Sequence, residues 1–229
     1  MRPNFIKQNH NMTRHQKHFI NLFIVTVMLC TPLLKSFAQT NVYVFLFDGF
    51  ADWEIAYFMP ELKKSEKINL KTFTIDGSSI TSMGGVKITP DFSLAEVEAS
   101  ENSLLVLPGG NAWEKGEITG IDDLVKMFYE RHYAIAAICG ATFYLGEKGF
   151  LDGMKHTSND LNYLKAVAPN YNGENNYQFE PAVTDKNRIT ASGISSIEFA
   201  REIFRKVNLY DENHIEKWYQ LFKNGIWTY

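Results

Sequence analysis

The chain has little cysteine: among its 229 residues, only Cys30 and Cys139 carry a thiol. Cys30 lies in the apolar stretch HFINLFIVTVMLCTPLL, which follows a basic cluster and precedes the small residues Ser36 and Ala38. This order is typical of a secretory signal peptide and predicts cleavage after Ala38. The mature chain would then keep one thiol, which cannot form an internal disulfide and is either buried and inert or a reactive group.

The alternative for the leader is an uncleaved membrane anchor. Pro32 and Lys35 interrupt the apolar run before the ~20 residues that a membrane span requires. We therefore expect residues 1–38 to be a signal peptide and residues 39–229 to form one α/β domain, periplasmic or secreted, with no stable membrane insertion after cleavage. The sequence leaves open whether translation begins at Met1 or at Met12.

Positive charge is also scarce. The leader holds five Lys and Arg residues and no acidic residue, so its removal changes the formal net charge from −3 to −8. An acidic chain without basic clusters is not expected to bind nucleic acid. The three remaining histidines are scattered, and the glycine pairs at 84–85 and 109–110 are not part of a GxGxxG motif. We therefore expect neither a metal site nor a phosphate-binding cofactor site.

What the chain has is an alternation of strand and helix patterns. Bounded apolar runs such as NVYVFLF (41–47), SLLVL (103–107) and AIAAI (134–138) predict buried strands, and amphipathic segments between them predict helices. Short hairpins are expected around Gly84 and Gly85 and at 185–187, and Asp211 is expected to cap a C-terminal helix. That helix carries an apolar stripe, which either packs on the domain or forms a partner surface. The order predicts a mainly parallel sheet with helices on both faces and a functional site beyond the carboxyl ends of its strands.

Cys139 ends one of these strands, and Gly140 begins the next helix. A small residue directly after the cysteine permits a sharp strand-to-helix turn, the nucleophile elbow. The positive end of the helix and free backbone N–H groups would favour thiolate over thiol. By residue counting alone an inert core cysteine is favoured, so a reactive role depends on the neighbouring loops.

Two loops are expected at the same sheet edge. DGFADWE follows the first strand and offers Glu54, whose carboxyl group beside a thiol could hold or transfer a proton. The PGG segment at 108–110 follows another strand. Its glycines either make a tight turn or let backbone N–H groups approach a developing oxyanion.

Four segments together resemble the ThiJ/PfpI superfamily, a branch of the class I glutamine amidotransferase-like fold: VYVFLFDGFADWE, SLLVLPGG, AAICGATFYLGEKGFLDG and ITASGISSIEFAREI. The resemblance implies a three-layer, flavodoxin-like sandwich with Cys139 in a strained elbow and Glu54 near its sulfur. It further implies backbone donors at Gly109, Gly110 and Gly140. Members are often homodimers acting on small molecules, and they include peptidases, glyoxalase-like or deglycase-like enzymes, isonitrile hydratases and redox sensors.

The chain departs from the superfamily at its histidines. In the protease-like branch a histidine directly follows the cysteine, where this chain has Gly140. In the branch acting on glyoxals a histidine lies about twenty residues later, and the best register places Asn159 there. His156 is three residues earlier and is the candidate base.

These observations predict an exported cysteine-dependent hydrolase or lyase acting on a small carbonyl or amide, without a cofactor. The alternative is a non-catalytic redox-sensing or ligand-binding member of the same superfamily, because an activated thiol is also what oxidation requires. True glutamine amidotransfer is disfavoured, because Glu198 has no histidine two residues before it.

Overall fold

Apolar segments form the strands of this fold, as the sequence predicts. The computed structural model describes residues 39–227, so the predicted signal peptide lies outside the described residues. The strands are β1 (Thr40–Phe45), β2 (Ile68–Thr74), β3 (Ile80–Thr81), β4 (Lys87–Ile88), β5 (Phe92–Ser93), β6 (Ser103–Leu107), β7 (Ala134–Ile138), β8 (Ala182–Asp185) and β9 (Arg188–Ala191). The α-helices are α1 (Phe58–Lys63), α2 (Asn111–Glu114), α3 (Asp122–Glu130), α4 (Gly140–Glu147), α5 (Leu161–Val167), α6 (Ser196–Lys206) and α7 (Glu212–Asn224).

Seven strands form one sheet in the order β5-β2-β1-β6-β7-β9-β8. Neighbouring strands are parallel except at the edge, where β8 runs antiparallel to β9. Strands β6 and β7 are buried along their whole length, which explains why they are uniformly apolar rather than alternating. The prediction of a mainly parallel sheet with flanking helices is confirmed.

The register of the central strands brings their carboxyl ends to one edge of the sheet. Leu107 of β6 pairs with Ala137 of β7, and Ile138 of β7 pairs with Ala191 of β9. Strand β1 lies beside β6 in the same direction. The loops after β1, β6, β7 and β9 therefore meet at this edge, which is where parallel α/β sheets place their ligands.

Both predicted hairpins are present. Strands β3 and β4 pair antiparallel around the glycine pair, where Gly85 has a φ of +84°. Strands β8 and β9 turn through Lys186, which has a φ of +53°.

The C-terminal helix α7 begins at its predicted cap, since the Asp211 carboxylate accepts a hydrogen bond from the His214 N–H at 2.9 Å. Ile215 and Trp218 are buried, and the Trp218 ring lies 4.7 Å from that of Phe204 on α6, measured between centroids. The apolar stripe of α7 thus packs on the domain over these residues.

Helix α5 has no counterpart among the sequence-based predictions. It begins at Asp160, whose side chain accepts a hydrogen bond from the Tyr163 N–H at 2.8 Å. The cap places Asn159 directly before the helix, at its entrance. Within residues 39–227, no helix is both long and apolar enough to cross a membrane.

Candidate functional site

Cys139 occupies a strained turn between β7 and α4. Its φ of 58° and ψ of −127° lie in a region that residues with a side chain seldom adopt. A hydrogen bond from its N–H to the Ala191 carbonyl, 3.0 Å long, ties the turn to the end of β9. Gly140 permits the turn because a Cβ there would lie 2.9 Å from the Gly110 carbonyl oxygen. The predicted elbow is therefore present.

Glu54 is fully buried at the end of the 3₁₀ turn Asp52–Glu54. Its Oε2 atom accepts a hydrogen bond of 2.5 Å from the Gly109 N–H. The other oxygen, Oε1, has no conventional hydrogen-bond partner and lies beside the Cys139 thiol, with which the carboxyl group interacts. The predicted approach of Glu54 to the cysteine is thus observed.

Burial raises the pKa of the Glu54 carboxyl from 4.5 to about 7, because desolvation outweighs the hydrogen bond from the Gly109 N–H and the interaction with the Cys139 thiol. This group therefore titrates near neutral pH rather than in the acidic range of an ordinary carboxyl group. A carboxyl group poised in this way can accept and return a proton.

The pKa of the Cys139 thiol is raised to about 11, by burial first and then by the negative charge of Glu54. Hydrogen bonds from the Asn159 side chain and the Gly140 N–H act in the opposite direction. The helix end alone would lower the pKa of the thiol. The pKa is raised instead, because the loss of water and the acidic neighbour outweigh those donors. The resting cysteine is a thiol rather than a thiolate.

Asn159 connects the thiol to the loop that follows β9. Its Nδ2 atom donates to the Cys139 sulfur at 3.4 Å, and its Oδ1 atom accepts from the Gly193 N–H at 2.7 Å. The Gly193 carbonyl in turn accepts a hydrogen bond of 3.0 Å from Trp53 Nε1. The N–H and the carbonyl of Gly193 are therefore both fixed by hydrogen bonds, the first to Asn159 and the second to Trp53, above the sulfur.

Gly193 was not predicted as a site residue. A Cβ on it would lie 2.8 Å from the Cys139 sulfur and 3.2 Å from Glu54 Oε1, so only glycine fits without displacing them. The local signal for it is a glycine two residues after the end of β9, in ITASG, at the same sheet edge. Trp53 was likewise missed, although it stands inside the DGFADWE segment.

A cavity of about 650 Å³ opens over the thiol. Its lining residues are Trp53, Cys139, Asn159, Ser192, Gly193 and Ile194. Cys139 is partly exposed to it, so a small molecule could reach the sulfur from this side.

His156 is completely buried, and both ring nitrogens are engaged. Nδ1 lies 2.7 Å from the Met154 carbonyl oxygen and Nε2 lies 2.7 Å from the Tyr171 hydroxyl. The ring also packs edge-on against Tyr171 and Tyr177, and burial lowers its pKa. It does not line the cavity over Cys139, so the structure does not support the prediction that His156 is the base.

The three predicted backbone donors have different surroundings. The Gly109 N–H is occupied by Glu54, so its assignment to an oxyanion is not supported; Gly109 positions the carboxyl group instead. The Gly140 N–H hydrogen-bonds to the Cys139 sulfur. Gly110 must be glycine for another reason, since a Cβ would lie 2.8 Å from both the Gly49 carbonyl oxygen and the Phe47 ring.

In the described part of the chain, no three His, Cys, Asp or Glu side chains are grouped to hold a metal ion.

Comparison with known proteins agrees with this geometry. The chain is 41% identical over 190 residues to the uncharacterized protease YoaZ of Bacillus subtilis, spanning 80% of this chain and 90% of YoaZ. It is 31% identical over 122 residues to the deglycase TK1284 of Thermococcus kodakarensis, spanning 52% of this chain and 71% of the deglycase.

Solved structures extend the comparison to the fold. A ThiJ/PfpI family protein from Bacillus anthracis superposes with a TM-score of 0.77 at 36% identity, covering 82% of this chain and 92% of that one. A DJ-1 superfamily protein from Agrobacterium tumefaciens gives 0.75 at 36% identity, covering 82% and 99%. The DJ-1/PfpI family itself matches residues 40–206, the region that contains the elbow, the buried glutamate and the glycine over the sulfur. The chain belongs to the DJ-1/PfpI family.

Proposed function

We propose that the chain is an exported cysteine-dependent enzyme of the hydrolase or lyase type, acting on a small carbonyl or amide. Cys139 is the nucleophile, and Glu54 is its acid–base partner. The observation that carries this proposal is a fully buried carboxyl group, with its pKa raised to about 7, in contact with a thiol that is accessible from a cavity.

The reaction starts from the thiol because its pKa is high. The Glu54 carboxylate takes the thiol proton while the sulfur attacks the carbonyl carbon. A C–S bond forms, and the electron pair of the C=O π bond moves to the oxygen. Glu54 then returns the proton to that oxygen, or to a leaving amine when the substrate is an amide.

Neutral donors would stabilise the developing oxyanion. The Asn159 side-chain amide and the Gly140 N–H now interact with the sulfur, so both lie where an oxygen on the attacked carbon would form. Each fixed donor of this kind contributes ~10²-fold or more to rate. An amide carries no titratable proton, so proton transfer falls to Glu54.

The residue after the cysteine favours carbonyl chemistry over peptide hydrolysis. One relative is named a deglycase and two are named proteases. In the protease-like branch, however, histidine directly follows the cysteine, and here that residue is Gly140. We therefore place small carbonyls first among candidate substrates.

The experiment is turnover of methylglyoxal, glutamine and small amides by the wild-type chain and by Cys139→Ala. We expect turnover of at least one small carbonyl and a loss of more than about 10²-fold in the variant. Thermal unfolding of both proteins controls for folding. Equal rates for wild type and Cys139→Ala, or no turnover of any substrate, would refute the proposal.

A second candidate function is redox sensing without catalysis. It is favoured by Asn159, which occupies the position of the histidine in the branch acting on glyoxals and cannot carry a proton. Mild peroxide followed by mass spectrometry tests it: a sensor forms sulfenic or sulfinic acid at Cys139. If Cys139 stays unmodified in the folded protein while the denatured protein reacts, sensing is refuted.

We also propose export by the leader and assembly as a homodimer. The supports are the signal-peptide pattern before Ala38 and the frequency of dimers in the superfamily. N-terminal sequencing of protein recovered from the periplasm or medium tests the first. Light scattering after size-exclusion chromatography tests the second, and a monomer at micromolar concentration would contradict it.

A further inference from the structure

The segment HTSND (156–160) leads the chain to the entrance of α5 and brings the Asn159 amide to the sulfur. Asn159 is exposed, whereas the two residues before it, Thr157 and Ser158, are buried. The hydrogen bond from the amide to Cys139 is 3.4 Å long, and a hydrogen bond weakens steeply when its donor turns away from the acceptor. The effect of the amide on the sulfur therefore depends on how firmly the backbone before Asn159 is held.

Two buried hydroxyl groups join this segment to the elbow. The Thr142 hydroxyl donates to the Cys139 carbonyl oxygen at 2.6 Å, and the hydroxyl oxygens of Thr142 and Ser158 are 2.6 Å apart. A hydroxyl group has a single proton to donate, and Thr142 uses its proton on the carbonyl. Ser158 must therefore be the donor to Thr142, so a chain of hydrogen bonds runs from Ser158 through α4 to the backbone of Cys139.

Thr157 fixes the same segment to the sheet. Its N–H donates to the Thr190 hydroxyl oxygen at 2.9 Å, and its own hydroxyl donates to the Glu180 carbonyl oxygen at 2.8 Å. Thr190 belongs to β9. The backbone before Asn159 is therefore held by α4 on one side and by β9 on the other. These are the two elements whose ends carry the atoms that the amide contacts.

The hydroxyl chain acts from outside the cavity. Thr142, Thr157 and Ser158 do not line the space over Cys139, and each is at most 2% exposed. Hydrogen bonds between buried groups are not weakened by competing water. Residues in such places serve a site by holding the side chain that does contact the reacting atoms.

We propose that Ser158 is a positioning residue for the reaction at Cys139. Its hydroxyl, bonded to Thr142, holds Asn159 so that the amide points at the sulfur and at the oxygen formed on an attacked carbon. This role rests on the proposed function, since it adds a residue to the same site. Ser158 touches neither the sulfur nor the cavity, so its effect passes through Asn159.

Ser158→Ala removes the donor without leaving another buried donor unpaired, because the Thr142 hydroxyl keeps its acceptor on Cys139. We expect alkylation of Cys139 by iodoacetamide at pH 8 to slow by about two- to fivefold, the effect of weakening one hydrogen bond. The pH profile of alkylation should move to higher pH, because the bond from Asn159 lowers the pKa of the thiol.

The alkylation rate reports on the thiol directly. The Cys139 sulfur displaces iodide, so that a C–S bond forms, a C–I bond breaks and the thiol proton passes to solvent. Peptide mass spectrometry of the full chain follows the modification of Cys139 itself. Thermal unfolding of each variant shows whether it is folded.

A double variant distinguishes positioning from a general loss of structure. If Ser158 acts through Asn159, Ser158→Ala should have no further effect on the rate in a chain that already carries Asn159→Ala. Equal slowing in both backgrounds would overturn the proposal. An unchanged rate in Ser158→Ala alone would also overturn it, as would faster alkylation, which is the result expected if the variant only loosens the packing around the thiol.

Thr142→Val tests the same bond from its other end and serves if Ser158→Ala does not fold. Valine is close to threonine in shape, and the Cys139 carbonyl still accepts from the N–H of residue 142, at 3.0 Å in the wild type. We expect slower alkylation that is again absent in the Asn159→Ala background. An unchanged rate in Thr142→Val would contradict the proposal.

Ser103→Ala is the matched control. Ser103 is as buried as Ser158, at 2% exposure, and its hydroxyl oxygen accepts from the Ser100 N–H at 2.9 Å. It lies at the amino end of β6, the end of the strand away from the site. We expect a lower melting temperature and an unchanged alkylation rate. Slowing equal to that of Ser158→Ala would mean that loss of any buried hydroxyl is sufficient, and would overturn the proposal.

Alkylation requires no turnover, so this test is separate from that of the proposed function. Slower alkylation in Ser158→Ala, without turnover of any carbonyl or amide, would refute the enzyme and leave the positioning of Asn159 standing. Turnover that depends on Cys139, with an unchanged alkylation rate in Ser158→Ala, would refute the positioning and leave the enzyme standing.

Discussion

Asn159 donates a hydrogen bond from Nδ2 to the Cys139 sulfur across 3.4 Å. The other end of the same amide accepts from the Gly193 N–H, so one planar group sets the position of the thiol relative to the loop after β9. This amide can orient and polarise, but it cannot carry protons between substrate and solvent.

Asn159→Ala should make Cys139 less reactive. Removal of the amide takes away a hydrogen bond that lowers the pKa of the thiol and leaves the Gly193 N–H without its acceptor. We expect alkylation by iodoacetamide at pH 8 to slow by about three- to tenfold, corresponding to one hydrogen bond of ~1 kcal/mol. The control is Asn69→Ala, which removes a side-chain hydrogen bond to Asn41. An unchanged rate in Asn159→Ala would show that the amide does not act on the sulfur.

Glu54 should make the protein less stable as the pH rises through the weakly acidic range. Its pKa is 4.5 ordinarily and about 7 when folded, so between these values the folded state binds more protons than the unfolded state. The free energy of unfolding therefore falls with rising pH there, by about 3 kcal/mol in total from this group. Urea unfolding of wild type and Glu54→Gln from pH 4 to 8 measures it. The difference between the two proteins should change across this window and level off above it; parallel curves would contradict the raised pKa.

The pH dependence of thiol reactivity should also change in Glu54→Gln. The negative charge of Glu54 contributes to the raised pKa of Cys139, and glutamine retains an oxygen for the Gly109 N–H without that charge. We expect the alkylation rate of wild type to keep rising above pH 9 and the profile of the variant to lie at lower pH. A variant profile displaced to higher pH would show that Glu54 assists the thiolate as a proton donor instead.

Gly193→Ala should distort the site, because the new methyl group would lie 2.8 Å from the Cys139 sulfur and 2.9 Å from its Cβ. Overpacking of this kind costs about 1–3 kcal/mol. We expect a lower melting temperature and a several-fold slower alkylation of Cys139. Gly153→Ala is the comparison, since it adds a methyl group with no atom within 4 Å, at a φ of +70°. Equal alkylation rates in the two variants would refute close packing over the sulfur.

The mainly parallel sheet and the elbow followed from local signals. Uniformly apolar runs, paired glycines and a cysteine between a strand and a helix each report on their own backbone. The alternation of elements then predicted that the loops of Glu54 and Cys139 share one sheet edge, and the family resemblance implied that the carboxyl group lies near the sulfur. Gly193 and Trp53 were missed because their roles arise from a contact between loops that lie 140 residues apart. No periodicity within either segment indicates which atoms of the other loop will contact it.

The ionisation of Cys139 shows the same limit. The sequence revealed the helix that begins after the cysteine, and that helix does supply a donor. Burial of the sulfur and the distance to an ionisable neighbour depend on how four loops pack together. These two effects determine whether the pKa of the thiol is raised or lowered. His156 illustrates a related limit, since its position in the sequence gives no sign that its ring packs against Tyr171 and Tyr177.

The hydrogen bond from Trp53 to Gly193 joins loops whose strands are not neighbours, because β6 and β7 lie between β1 and β9. This link matters for engineering. If only the loop after β9 were replaced by that of another family member, Trp53 would lose the carbonyl to which it donates. If only the loop after β1 were replaced, the Gly193 carbonyl would lose its donor. Chimaeras that exchange substrate preference within the family would have to transfer Trp53, Asn159 and Gly193 as one unit.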